Sequence, residues 1–493
     1  MSLVQSVDGL ALAPPTALAI TAAAVLALDL FVRRHRVTLA IWTAVIGTLV
    51  AFAFTVALAA GDPRATFCLT DDACSYVADD FALALQGLML LALLALLPLL
   101  SGALREHRIP PGEAVFLLLC SATGALVMPA ARDVITLVVA LELVSLPTFV
   151  LVGLRRADPR SAEAALKAFL LGVVSTALTL YGASLLYGIT GTLHLDLISN
   201  SLTTGPRQPL AGAAVALVVI GFGFKVAAVP FHSWAPDAYS GAPLPVAAYL
   251  AVVSKAAGFA GLMLLLLRGL GSYVSSWGLA LAVLAALTMS LGNILALRQR
   301  SVIRLLAWSS IAQAGYMLVP LALHDVDSDR VQEASTATLG YLGFYAPMTI
   351  GAFAAAAVLA RRHGATTLES SRGLVRVAPW TAAVLALSLA ALAGLPPGVG
   401  GLVAKVVVLR SAVDAGYTWL AVVMAVNTVI GLAYYLRWAV LVLSPSTDTA
   451  RPGAVPPRPR GAVAAGLLAG AATVLVSVVP QLVLRAAAAG ALG

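Results

Sequence analysis

Long runs of apolar residues, separated by short polar segments, cover almost the whole chain. A helix needs roughly 20 predominantly apolar residues to cross a bilayer core of about 30 Å. Runs of this length predict fourteen membrane-spanning helices, at residues 11–32, 37–60, 81–103, 113–130, 134–154, 164–189, 210–229, 244–268, 276–297, 303–323, 336–360, 380–409, 415–443 and 462–486. The sequence therefore predicts an all-α polytopic membrane protein with about 14 transmembrane helices.

Composition narrows the class of protein further. Of the 493 residues, 61% are hydrophobic and 11% are charged, and the mean hydropathy is +0.97. Soluble globular proteins have about 45–50% apolar and about 25% charged residues. These values exclude a cytosolic enzyme, a nucleic-acid-binding protein and a disordered chain. We therefore interpret the net charge of +8 as a determinant of membrane topology rather than as a sign of an acidic binding partner.

The distribution of arginine predicts the orientation of the protein. The loops after odd-numbered spans contain eighteen arginines, among them Arg34 and Arg298, whereas the other loops and the C-terminal end contain seven. Basic residues are enriched in the loops on the cytoplasmic side of a membrane. We therefore expect a multi-pass protein of the bacterial plasma membrane with both termini on the outer, periplasmic side.

Two of the predicted spans are interrupted by prolines. The seventh span runs into Pro230 and Pro236, and the twelfth contains Pro396 and Pro397 within a glycine-rich stretch. Proline breaks a helix, and broken backbone at membrane depth is tolerated only inside protein or beside a cavity. Corresponding breaks in oppositely oriented halves are typical of inverted-repeat transporters. We predict three helices in 1–112, a five-helix repeat at 113–268, a second, inverted five-helix repeat at 276–443, and a last helix at 462–486.

Four ionisable residues lie deep in the predicted spans: Glu142, Lys225, Lys255 and Lys405. An insertion scale assigns roughly 2.5–3.5 kcal/mol to each ion at a helix centre, so residues of this kind are usually functional. Lysine can change its protonation state in a buried site, whereas arginine stays charged. We predict a proton relay along these residues. The alternative is that Glu142 forms a static ion pair with one lysine and only holds helices together.

Three further residues are weaker candidates for an entry or modulation site. Lys167 lies near the end of span six, where it either joins the relay or extends its side chain to the membrane surface. His232 and Asp237 follow the break of span seven, in a loop without arginine. These two residues either line a proton entrance or cap a helix end.

The three cysteines exclude a four-thiolate iron–sulfur cluster within the chain. Cys68 and Cys74 lie in one polar loop and can form a disulfide if that loop faces an oxidising compartment, which the sequence leaves open. Cys120 lies in an apolar span and is interpreted as a packing residue. We predict no metal or cofactor site.

Several stretches resemble the antiporter-like subunits of respiratory complex I, the bacterial NADH:quinone oxidoreductase. The resemblance extends from span four to span twelve. Its residues are Leu141–Pro147, Glu163–Gly172, Phe224–Tyr239, Gly241–Pro243, Ser254–Phe259 and Arg304–Leu318.

The resemblance implies roles for the deep ionisable residues. Glu142 and Lys225 match the family's paired input site, Lys255 its central relay residue, and Lys405 its output site. Lys167 matches an additional lysine of the family on span six. The roles agree with the relay that the residues themselves predict.

The chain departs from the family at one position. Gln313 occupies a place that is often histidine in these subunits. Glutamine cannot titrate, which puts a proton-carrying role for this position in doubt.

The resemblance implies a non-redox, proton-pumping subunit of the NADH:quinone oxidoreductase translocase. FMN, iron–sulfur clusters and quinone are expected in other subunits and not in this chain. The expected partners are other complex I membrane subunits, especially the paralogous antiporter-like subunit M and the small subunits K and J, and the lipid bilayer, with no nucleic acid.

The alternatives to this function are a Mrp-type cation/proton antiporter subunit, an inverted-repeat carrier for a small organic solute, and a structural scaffold. The buried lysines argue against the scaffold.

Overall fold

A computed structural model describes most of the chain. It covers residues 7–32, 34–70, 73–107, 109–155, 158–205, 208–322, 325, 327–363, 367–445 and 460–492. Six of the arginines behind the topology prediction lie outside these residues, namely Arg33, Arg108, Arg156, Arg207, Arg451 and Arg458.

Helices make up most of the described residues. The first half of the chain contains α1 (Ala13–Phe31), α2 (Arg36–Ala59), α3 (Asp80–Glu106), α4 (Pro111–Val127), α5 (Val134–Val152), α6 (Pro159–Thr190), α7 (Leu195–Thr204), α8 (Pro209–Lys225), α9 (Trp234–Gly241) and α10 (Leu244–Tyr249). The second half contains α11 (Lys255–Met263), α12 (Val274–Leu297), α13 (Val302–Leu318), α14 (Ser328–His363), α15 (Leu374–Val377), α16 (Pro379–Ala393), α17 (Val399–Asp414), α18 (Thr418–Leu443), α19 (Arg460–Val478) and α20 (Pro480–Ala489).

The predicted all-α polytopic membrane fold is confirmed. Within the described residues, 12 helical segments are long and apolar enough to cross a membrane. Two shorter apolar helices, α8 and α16, lie where the sequence predicts interrupted spans. The predicted count of fourteen is therefore an approximation. Outer helices leave large apolar side chains such as Trp42 and Ile46 exposed, as expected for surfaces that face lipid.

A single continuous helical segment, Leu244–Gly269, lies at the centre of the protein. Its most apolar stretch is 100% buried, against 33% for the corresponding stretches of α1, α2 and α6. The segment contains α10 and α11, with a π-helical segment at Leu250–Ser254 between them and a second at Leu264–Gly269. Short π-helical segments inside α-helices are rare and frequently lie at functional sites. Lys255 directly follows the first of them.

Both predicted helix breaks are present. α8 ends at Lys225 before a cis Val229–Pro230 peptide, and α16 ends at Ala393 before a cis Pro396–Pro397 peptide. Proline lacks the amide hydrogen that the next helical turn requires, so neither helix continues through its break. The assignment of two inverted repeats around these breaks stays a prediction.

The polar segment between α2 and α3 forms a β-hairpin that the hydrophobic pattern did not predict. Strands β1 (Arg64–Thr70) and β2 (Ala73–Ala78) pair in antiparallel orientation. Cys68 lies opposite Cys74 in this register, and the two residues form the disulfide that the sequence left open.

The path of the chain after the second break depends on a glycine. α17 returns so close to α16 that a Cβ atom at Gly401 would lie 1.7 Å from the carbonyl oxygen of Ala391. Only a residue without a side chain allows this approach.

Gly401→Ala is expected to lower the melting temperature of the detergent-solubilised protein, because α17 must move away from α16. Overpacking of a filled core typically costs about 1–3 kcal/mol. Scanning fluorimetry measures the effect. Gly87→Ala on α3 is the control, since open space surrounds the added methyl group there. Equal melting temperatures for the two variants would contradict the close packing of α16 and α17.

Candidate functional site

Lys225 is the last residue of α8, where the break exposes the C-terminal end of the helix. The side chain is 6% exposed. Its Nζ donates a hydrogen bond of 2.9 Å to Oγ of Ser145 on α5. The helix end is further closed by Trp234, whose Nε1 donates to the carbonyl oxygen of Phe224 at 3.0 Å. The break in α8 thus places a buried ammonium group against α5.

Glu142 lies on α5 one turn before Ser145 and is half-buried. The hydroxyl of Thr176 on α6 donates a hydrogen bond to Oε1 of Glu142. The direct hydrogen bond of Lys225 goes to Ser145, one turn after Glu142 on the same helix. The two members of the predicted input site are therefore connected through one turn of α5.

Lys255 lies on the central buried segment, and among the described residues its hydrogen-bond partners include no carboxylate. Its Nζ donates to the backbone oxygen of Ser310 on α13 at 2.5 Å and to the Ser310 hydroxyl at 2.6 Å. The same hydroxyl lies 2.9 Å from the hydroxyl of Tyr345 on α14. A chain of hydrogen bonds thus leads from Lys255 towards α14.

Lys225 and Lys255 belong to helices that touch. A Cβ atom at Gly258, one turn after Lys255, would lie 3.0 Å from Cγ of Lys225. The absence of a side chain at Gly258 therefore makes room for the stem of Lys225.

Lys405 lies on α17, the helix that follows the second break. Its side chain reaches back to the C-terminal end of α16, the helix that precedes the break. Its Nζ donates to the carbonyl oxygens of Leu392 at 3.0 Å and Ala393 at 2.9 Å, the last residues of α16. The ammonium group also lies 5.5 Å from the ring centroid of Tyr316. A helix C-terminus carries partial negative charge, so the break supplies the compensation that a carboxylate would otherwise give.

Gln313 lies between the central segment and Lys405 in a network of neutral polar groups. Tyr341 donates to Oε1 of Gln313 at 2.5 Å, and Nε2 of Gln313 donates to the hydroxyl of Tyr435 at 3.1 Å. The Gln313 amide also reaches the carbonyl oxygen of Leu392 at 3.5 Å, which Lys405 shares.

A small cavity connects the part of this network near Tyr345 with the part near Lys405. Gln313, Tyr341, Tyr345 and Lys405 are among the residues that line it, and its volume is about 10 Å³. This volume is close to that required by a single water molecule. Tyr345 thus connects the hydrogen bonds of Lys255 to the cavity beside Lys405.

Two of the three weaker candidates, Lys167 and Asp237, belong to one cluster of ion pairs. Lys167 is about half exposed, with Nζ 2.6 Å from Glu163 and 3.1 Å from Asp237. Asp237 also pairs with Arg304 at 3.4 Å. This cluster of exposed ion pairs agrees with a side chain that reaches towards the membrane surface.

His232 packs against Trp308 with 5.4 Å between the ring centroids. Its Nδ1 is buried without a hydrogen-bond partner among the residues that the structure describes. Asp237 thus belongs to the ion-pair cluster around Lys167, whereas His232 packs against Trp308.

Sequence reasoning missed the neutral groups that connect the ionisable residues: Ser145, Thr176, Ser310, Tyr341, Tyr345 and Tyr435. Hydroxyl-bearing residues are common in membrane helices and give no distinct pattern. One local signal was present for Ser145, because a residue three positions after Glu142 lies on the same helix face.

The arrangement suits the movement of protons rather than covalent chemistry. Each buried ammonium group has a hydroxyl or carbonyl acceptor within hydrogen-bond distance. Across the described ranges, no group of three or more His, Cys, Asp or Glu side chains is placed to hold a metal ion. Fold and site together define a polytopic membrane protein of the transporter class, with broken helices and buried lysines.

Comparison with known proteins identifies the family. Residues 131–431 match the family described as NADH:quinone oxidoreductase/Mrp antiporter, TM, and the chain belongs to this family. The NADH-quinone oxidoreductase subunit N 2 of Streptomyces griseus subsp. griseus is 52% identical, over 98% of this chain and 94% of its own length. The resemblance to the antiporter-like subunits of complex I is thereby confirmed, and among these subunits the chain is similar to subunit N.

Solved structures show the same fold. A chain of respiratory complex I from Thermus thermophilus superimposes with a TM-score of 0.79 at 32% identity, over 97% of this chain and 100% of that chain. A chain of the Mrp complex from Dietzia sp. DQ12-45-1b gives a TM-score of 0.82 at 20% identity, over 98% and 97% of the two chains. The second likeness concerns the fold alone.

Lys255→Met tests whether the central lysine is structural. Because no carboxylate is left unpaired by the change, we expect an unchanged or higher melting temperature. Arg132→Met is the control, since it removes a buried guanidinium group that pairs with the partly exposed Asp79 and is expected to be clearly destabilising. Scanning fluorimetry in detergent compares both variants with the wild type. A loss of stability in Lys255→Met as large as in Arg132→Met would show that the lysine only holds helices together.

Proposed function

We propose that this chain is a proton-translocating, non-redox membrane subunit of an NADH:quinone oxidoreductase. The observation that supports this most strongly is the set of three buried lysines, each with neutral acceptors, in a chain whose relatives are named as subunit N. Protons would pass along Glu142, Lys225, Lys255 and Lys405, coupled to electron transfer in other subunits.

The first part of the relay would use the contact between α5 and α8. Lys225 holds its ammonium against Ser145, one turn from Glu142, so a small shift of the side chain or one water molecule could carry a proton between them. The stem of Lys225 packs on Gly258, next to Lys255. A change in the charge of one lysine would therefore act on the other.

The second part would run through neutral groups. Hydrogen bonds from Lys255 reach Ser310 and Tyr345, and the cavity beside Tyr345 has room for about one water next to Lys405. Gln313 would orient this water and the adjacent hydroxyls without carrying a charge itself. A histidine is thus not required at this position.

The energy for transport would come from outside the chain. Moving one proton against 100 mV costs about 2.3 kcal/mol. FMN, iron–sulfur clusters and quinone would lie in other subunits of the complex. The paralogous subunit M and the small subunits K and J are the proposed membrane neighbours.

The proposed orientation places the β-hairpin and both termini on the periplasmic side of the bacterial plasma membrane. The disulfide between Cys68 and Cys74 supports this side, because disulfides persist in oxidising compartments. The arginine-rich loops would then face the cytoplasm.

Lys225→Ala or Glu142→Ala in the assembled complex is expected to reduce the number of protons pumped per NADH with quinone as acceptor. NADH oxidation with an artificial acceptor should remain nearly unchanged, because the redox centres are elsewhere. Proteoliposomes with a pH-sensitive dye and an NADH absorbance assay measure the two activities.

Arg410→Ala on α17 is the matched control, since this arginine is 81% exposed and lies outside the relay. Normal pumping by a fully assembled Lys225→Ala complex would refute the relay. Transport that depends on Na⁺ rather than on NADH would instead support a Mrp-type antiporter subunit.

A further inference from the structure

A second, larger cavity lies near the arginine-rich loops. Its volume is about 260 Å³, and none of the three buried lysines lines it. Most of its wall is apolar and comes from α3, α10, α13, α14 and α19. Four ionisable side chains also line it: Glu106, His107, Arg155 and Arg361. The cavity thus combines charged groups with an apolar surface at the end of the membrane helices.

One buried donor in this cavity is unsatisfied among the described residues. Nε of Arg361 donates to Oε2 of Glu106 at 2.7 Å. Nε of Arg155 is buried and has no hydrogen-bond partner among the described residues. Desolvation, followed by the positive charge of Arg155, lowers the pKa of His107. Among the side chains that line the cavity, two guanidinium groups face one carboxylate, and Asp158 is a second carboxylate that acts on Arg155. The Nε donor of Arg155 still lacks an acceptor among the described residues.

A phosphate group supplies what the cavity lacks. The planar guanidinium group binds phosphate oxygens through two parallel hydrogen bonds, and Arg is preferred over Lys for this geometry. Basic pockets between membrane helices on the cytoplasmic side commonly bind phospholipid headgroups. The volume suits a headgroup rather than a whole lipid, whose acyl chains would lie outside along the apolar helices.

We propose that this cavity binds a phosphate group, with Arg155 as its main ligand and Arg361 as its second. The phosphodiester of an anionic phospholipid and inorganic phosphate share this chemistry, and the apolar wall favours the lipid. The site does not depend on the proposed proton relay, because binding is measured without turnover.

Binding to the full-length, delipidated chain in detergent tests the proposal. Native mass spectrometry with phosphatidylglycerol and equilibrium dialysis with labelled inorganic phosphate measure the two sources separately. Arg155→Gln is expected to weaken binding about tenfold, as for the loss of hydrogen bonds to a charged group. Arg155→Lys should retain part of the affinity, and Ala360→Trp should block the cavity without removing a charge.

Arg160→Gln on α6 is the control, because Arg160 is exposed and does not line the cavity. Melting temperatures confirm that each variant is folded. Binding of phosphate alone, lost in Arg155→Gln, would support the site with a soluble ligand. Phosphatidylglycerol binding that is equal in the wild type, Arg155→Gln and Ala360→Trp would overturn the proposal, as would the absence of binding by both probes.

Discussion

The structure depends on how an ammonium group is kept inside a membrane protein with neutral oxygens as its hydrogen-bond partners. Removing such a charge from water is expensive, and an unpaired ion at a helix centre costs several kcal/mol unless other groups compensate. Here the compensation comes from neutral oxygens. Lys405 is held by the terminal carbonyls of α16, Lys255 by the backbone and hydroxyl oxygens of Ser310, and Lys225 by Ser145. Because the partners of Lys255 and Lys405 carry no full charge, these two lysines can lose a proton without leaving an uncompensated anion behind.

The helix breaks follow from the same constraint. An uninterrupted helix has no free carbonyl groups to offer at membrane depth, whereas a broken helix exposes its last turn. Prolines end α8 and α16 at this depth, and Gly401 lets α17 return against α16 so that Lys405 reaches the exposed carbonyls. The central segment that carries Lys255 is shielded from lipid by the surrounding helices. Sequence features that weaken an ordinary helix thus build the environment of the lysines.

Much of this architecture could be predicted from the sequence, because membrane insertion and helix breaking are governed by local composition. The apolar runs gave the helices, and Pro230 and Pro396 gave the breaks.

Contacts between distant helices were not predictable in this way. The hydroxyl of Ser310, the aromatic network around Gln313 and the role of Ser145 between Glu142 and Lys225 all depend on how helices pack. The β-hairpin was also missed, since its two strands are too short for a membrane span and their pairing depends on register. The proton-path roles of the four deep ionisable residues stay predictions, as does the division into inverted repeats.

We propose that the buried lysines work by releasing and taking up protons rather than by providing fixed charge. The most direct test is the number of protons pumped per NADH by a complex with Lys405→Arg, measured in proteoliposomes. The guanidinium group keeps the positive charge but does not release its proton under physiological conditions. We predict a reduced proton-to-NADH ratio in a complex that is fully assembled and retains artificial-acceptor activity. A ratio equal to that of the wild type would show that a fixed charge at this position is sufficient and would contradict the account.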